Sequence, residues 1–132
     1  MARDKTFIAT TAFPAAGANN NSAYFDLNAR VTPDGKFPSP VEVQISWPAL
    51  VALVDAKSVT FTINECATAG GNYTTTGLSH IITGAGGVGV AAGSKVFRLP
   101  PNVMRYIKLN QAEAAGGGDI TASSSTFELL FP

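Results

Sequence analysis

Apolar and polar residues alternate with period two along most of the chain. In "VEVQISW" the residues Val41, Val43, Ile45 and Trp47 share one face, and in "VTFTINE" so do Val59, Phe61 and Ile63, with Thr60, Thr62 and Asn64 opposite. That is the pattern of half-buried strands. The same reading extends to "KTFIATTAF", "SAYFDLNAR" from Ser22, "LSHIITG" from Leu78, "KVFRL" from Lys95, "RYIKLNQ" from Arg105 and a last strand within "DITASSSTFELLFP". In "RYIKLNQ" the alternation sends Arg105, Ile107 and Leu109 one way and Tyr106 and Lys108 the other, as on an edge or sheet-surface strand. About eight strands result, parted by turn-rich stretches such as "PAAGANNNS", "TPDGKFPSP", "TAGGNYTTTG", "PPN" and "AEAAGGG". Pro33 and Gly35 predict a turn at Asp34. Only "WPALVALVDA" carries a helical signal, with Pro48 at a first helical position and room for one or two turns. Many short strands between Gly/Pro loops predict an all-β fold, a jelly roll or β-sandwich, as a single domain over residues 1–132.

Charge narrows the partners. Nine basic residues balance nine acidic ones, so nothing in the composition forms an electrostatic footprint for nucleic acid or for an anionic membrane. Charged residues make up 14% of the chain, against roughly 25% in ordinary soluble domains. A surface so poor in charge leans toward association. The single cysteine, Cys66, cannot form an intramolecular disulfide, which fits synthesis in a cytoplasm. "MARDKTFIATTAF" holds no apolar core of signal-peptide length, and the sequons at Asn20 and Asn72 read as chance matches at loop asparagines.

Candidate chemistry is sparse. Gly84, Gly86 and Gly89 in "ITGAGGVGVAAG" fall at the G-x-G-x-x-G spacing. A dinucleotide site needs a helix directly after those glycines and an acidic residue about 20 positions on. Here "KVFRLP" follows instead, so the run reads as a mobile Gly/Ala surface loop. His80 is the sole histidine and sits in a strand pattern, which leaves it without partners for a catalytic triad or a mixed-ligand zinc site. Cys66 reads as a small buried thiol. The carboxylates are scattered, and Asp34-Gly35 lacks the further oxygen ligands of a calcium loop. The expectation is a non-enzymatic chain with no catalytic, metal or cofactor site.

The proline turn, then "RYIKLN", then a Gly-rich loop and a closing "DITA" strand resemble the C-terminal half of the jelly-roll cement (decoration) proteins of short-tailed phage capsids. The residues that carry this are Leu99, Pro100, Arg105, Tyr106, Ile107, Leu109, Ile120, Thr121 and Ala122, and "SAYFDLN" and "SVTFTINE" are similar in placement to the family's first long strands. The chain departs from the family in its Gly/Ala-rich residues 84–93 and in "PAAGANNNS". The resemblance implies a virion protein made in the host cytoplasm, seated on the outer capsid surface, with the major capsid protein as partner and a homo-oligomeric state, dimer or trimer. Arg3, Lys5 and Phe7 in a possible N-terminal contact arm (residues 1–13), the Gly-rich loop, and Arg105 with Tyr106 are the expected contacts. A carbohydrate-binding β-sandwich of a phage tail or adhesin is the alternative, with Trp47, Tyr24 and Tyr73 as its candidate aromatic platform.

Overall fold

A computed structural model describes residues 2–27, 42–100 and 102–131, with residues 2–7 and 131 described by their backbone alone. The predicted turn at Asp34 lies outside the described residues. The strands are β1 (Ala2–Ala12), β2 (Asn19–Asn21), β3 (Phe25–Asp26), β4 (Glu42–Trp47), β5 (Ser58–Cys66), β6 (Thr74–Thr83), β7 (Gly93–Arg98), β8 (Tyr106–Glu113) and β9 (Ser124–Phe131). One sheet has the order β1-β9-β4-β7, the other β2-β8-β5-β6 with β3 also on β8, and every pairing of named strands is antiparallel.

Strands β2 and β3 form one interrupted strand. In the gap the Ser22 N–H donates to Leu109 O at 2.8 Å and the Leu109 N–H donates to Ser22 Oγ at 3.0 Å, so the side chain stands in for a ladder carbonyl. Counted as one, they give eight strands ordered 1-8-3-6 against 2-7-4-5. That is the double Greek-key jelly roll, in which most connections cross from sheet to sheet.

The period-two reading holds residue by residue on β4, β5 and β8. Val43 and Ile45, then Val59, Phe61 and Ile63, then Ile107 and Leu109 are buried between the sheets with Phe127 and Leu129 of β9. Phe25 stacks on Phe127 with ring centroids 5.0 Å apart, and Trp47 on Phe61 at 5.7 Å. Each such side chain contributes about 1.5–3 kcal/mol by leaving water.

Three expectations need correction, and one open alternative is decided. The "WPALVALVDA" stretch holds no helix. The Leu50 and Val90 backbones bond each other in both directions, at 2.9 and 3.2 Å, which spends the groups a helix would use and turns Leu50 and Leu53 into the core. Of the expected strand from Ser22, the described residues 22–27 hold only the two-residue β3, and residues 28–30 lie outside the described part. "DITA" is a turn before β9, because Asp119 Oδ1 accepts both the Thr121 N–H and its hydroxyl. Of the two readings of "RYIKLNQ", β8 is the sheet-surface strand and not the edge strand, since β2 and β3 pair with one side of it and β5 with the other.

Candidate functional site

Strand direction sorts the loops into two ends with opposite chemistry. At the end where β8 begins, all three tyrosines of the chain gather on the outer face of the five-stranded sheet. Alternation puts Tyr106 and Lys108 outward, because Ile107 and Leu109 face the core. Register places Cys66 of β5 beside Tyr106, Asn64 beside Lys108, and Asp26 of β3 on Tyr106's other flank. Tyr24, half exposed just before β3, meets Tyr106 edge to face with centroids 5.3 Å apart. The Arg105 guanidinium lies 4.9 Å above the Tyr106 ring and is held by both oxygens of Asp26, Nε at 2.9 Å and an Nη at 3.0 Å. That forked hydrogen bond raises the already high Arg105 pKa further. Lys108 Nζ stands 4.0 Å over the Tyr73 ring, whose hydroxyl donates to Ala69 O at 3.0 Å. Burial, then the neighbouring Cys66, Tyr24 and Tyr106, push the Tyr73 phenol above its usual range. The cluster is a fixed aromatic platform, its rings oriented before any ligand arrives.

Two of the five expected contact residues, Arg105 and Tyr106, therefore come together and recruit Asp26, Tyr24, Tyr73 and Lys108. Arg3, Lys5 and Phe7 have their backbone in β1, at the edge of the opposite sheet, and their side chains lie outside the described part. Of the candidate aromatics, Tyr24 and Tyr73 join the platform and Trp47 does not. It packs between Phe61 and His80, with centroids 5.7 and 5.3 Å away, and donates its indole N–H to Ala91 O. His80 is thus a stacking partner at the sandwich margin, and Cys66 a buried thiol.

The opposite end collects the loops 13–18, 48–57, 84–92 and 114–123. Asp55, Lys57 and Asp119 are their only charged residues. Val51, Val54 and Val88 are exposed, at 74, 45 and 70% of their surface, amid exposed Ala and Gly. The G-x-G-x-x-G run reads correctly as a loop, yet it is fastened rather than free. The Gly87 N–H donates to Asp55 Oδ1, the Gly84 N–H to Lys57 O, and the Ala56 N–H to Gly84 O. Gly89, at φ +75°, lies so close to the Leu50 carbonyl that a Cβ there would overlap it.

Sequence reasoning missed Glu113. At the last position of β8's inward face, Glu113 is 3% exposed, and neither carboxylate oxygen has a hydrogen-bond partner among the described residues. Burial first, then the Asp119 charge, raise its pKa. The alternation Ile107, Leu109, Gln111, Glu113 contained the signal. Among the described residues no three His, Cys, Asp or Glu side chains stand together as metal ligands, and no helix is long and apolar enough to cross a membrane.

No protein-family model and no curated protein matches the chain. Among solved structures it is similar to PirA, with a TM-score of 0.53, 11% identity and 96% of each chain covered. It is also similar to the VP2 subviral particle of infectious bursal disease virus, with a TM-score of 0.44 and 14% identity over 93% of this chain. The Gx strain structure of the same virus gives 0.40 and 12% over 96%. The chain spans 30% of the length of those viral chains. At such identities the likeness is one of fold, the β-sandwich.

Proposed function

We propose that this chain is a viral structural protein, a cement protein that binds the outer surface of a major capsid shell and stabilises it without catalysing a reaction. The observation that carries the reading is the weakly charged end formed by loops 48–57 and 84–92, where Val51, Val54 and Val88 project from Ala and Gly backbone. Exposed apolar patches on an otherwise folded surface mark docking sites. Ala and Gly lose almost no side-chain entropy on burial, and they let a flat partner approach the backbone. Lys57 is the one cation in these loops, and Asp55 balances it in number, so a phosphate-rich partner finds little to bind. The resemblance at Leu99–Ala122 adds the shell as the specific partner, and a lattice of repeated modest contacts holds a small protein firmly.

The test is co-sedimentation of the purified chain with expanded capsids lacking it. The expected result is retention on particles, lost in Val51→Asp/Val88→Asp, whose side chains lie outside the core and leave the far-ultraviolet circular dichroism unchanged. Wild-type protein that stays at the top of the gradient, or a double variant that binds like wild type, overturns the proposal. The alternative saccharide-binding reading draws on one observation, the meeting of Tyr24, Tyr73 and Tyr106.

A further inference from the structure

We infer that the tyrosine platform on the outer face of the five-stranded sheet is a binding site for a saccharide that carries a carboxylate. The inference does not depend on the capsid reading, since it concerns the opposite end of the sandwich.

Three features select this ligand chemistry. First, Tyr24 is half exposed, its ring steadied edge-on by Tyr106. An aromatic face fixed in this way suits the apolar C–H face of a sugar ring, and costs little entropy on binding because its rotamer is already set. Second, the positions next to the platform are amides and hydroxyls. Asn64 sits beside Lys108 and Thr75 of β6 beside Asn64, while Asn110, two residues further along the outward row, already donates its amide NH2 to Asn19, Asn20 and Asn21. Such groups pair with sugar hydroxyls. Third, one cation of the platform has no ion-pair partner, although Arg105 and Lys108 are balanced in number by Asp26 and Glu65. Arg105 is spent on Asp26 through two hydrogen bonds, and Glu65 Oε2 accepts the Met104 N–H at 3.0 Å. Lys108 has no carboxylate partner among the described residues, and its ammonium rests 4.0 Å over the Tyr73 ring. An ammonium has three donors, and no anion among the described residues satisfies them. A carboxylated sugar meets all three features together: ring face on Tyr24, hydroxyls on the amide row, carboxylate on Lys108. A neutral sugar leaves the cation unused, and an acidic peptide leaves the stacking face unused.

The experiment is an amide chemical-shift titration of the full chain with sialyllactose, with lactose and a polyglutamate peptide as counterparts. The expected result is millimolar binding of sialyllactose, with shifts confined to Tyr24, Tyr73, Tyr106, Lys108 and Asn64, and lactose weaker by about tenfold, the factor one charge-assisted hydrogen bond supplies. Tyr24→Ala and Lys108→Gln each weaken binding by several-fold, while Tyr24→Phe keeps it. These side chains lie outside the core, so the spectra of the variants remain those of the folded protein. Absence of shifts with sialyllactose, shifts away from the platform, equal binding of lactose, or equal binding of polyglutamate overturns the inference. Capsid retention, read separately, stands or falls with Val51 and Val88 and is untouched by any of these outcomes.

Discussion

Gln111 offers a sharp test of how the two sheets are joined. It is fully buried on the inward face of β8, where its Nε2 donates to Ala12 O of β1 at 2.8 Å and its Oε1 accepts the Ser125 hydroxyl of β9 at 2.6 Å. One amide thus bridges from the five-stranded sheet to two strands of the other. Ala12 O also accepts the Asn20 amide at 2.8 Å, so loss of Gln111 leaves that carbonyl satisfied. Ser125, 1% exposed, has no second partner for its hydroxyl among the described residues, and the hydroxyl is stranded. Gln111→Leu therefore costs about 1–3 kcal/mol, the usual penalty for a buried polar group left bare. Ser125→Ala strands Gln111 Oε1 instead and costs about the same. Removing both leaves nothing unpaired, and the double variant lies within about 1 kcal/mol of wild type. Urea unfolding of the four proteins at constant m-value gives the cycle. A double-variant cost equal to the sum of the two single costs refutes the argument, because the bridge would then carry no coupling.

Two further predictions concern the weakly charged end. The Glu113 carboxyl is raised above its ordinary pKa by burial and by Asp119, so the native state holds the proton more tightly than the unfolded chain. Its contribution is complete below the ordinary Glu value of about 4.3 and is lost as pH rises through the folded value. Glu113→Gln is accordingly more stable than wild type at neutral pH, by an amount that shrinks on acidification, as thermal melts of both proteins across pH 4 to 8 will show. A gap that stays constant with pH sinks the assignment. Gly89→Ala places a methyl against the Leu50 carbonyl at a positive φ; it breaks the Leu50–Val90 bridge and costs several kcal/mol, on the order of the larger overpacking penalties. The readout is urea midpoint together with loss of amide protection at Leu50 and Val90.

Much of the fold was legible because strand burial is a one-dimensional code. Val43 and Ile45, Val59 to Ile63, and Ile107 to Leu109 all took the face that alternation assigned them. What alternation cannot express is long-range backbone competition. "WPALVALVDA" has helical composition, and only the arrival of Val90, forty residues on, diverts its backbone groups into a bridge. "SAYFDLNAR" alternates well enough, but Ser22 bonding Leu109 breaks the strand where the sequence shows no breaker. The site was legible only in part for the same reason. Tyr106 and Arg105 stand out locally, while their meeting with Tyr24 and Tyr73 depends on β3 and β5 flanking β8. Glu113 was hidden because a charged residue in an inward row looks like the end of a strand.

The two ends are joined by β8, whose eight residues at about 3.3 Å each put roughly 25 Å between the tyrosine platform and the weakly charged loops. Over that distance, with no shared partner, perturbations add independently. Tyr24→Ala/Val88→Asp should therefore lose saccharide binding to the extent of Tyr24→Ala alone, and capsid retention to the extent of Val88→Asp alone. Fluorescence anisotropy with a labelled sialoside and gradient retention measure the two. If Tyr24→Ala alone releases the chain from particles, the platform is itself a shell contact, and the division of labour between the ends is wrong. If Val88→Asp alone abolishes the sialoside signal, the two ends are coupled through the core, against the rigid closure expected of a sandwich packed around Phe61 and Phe127.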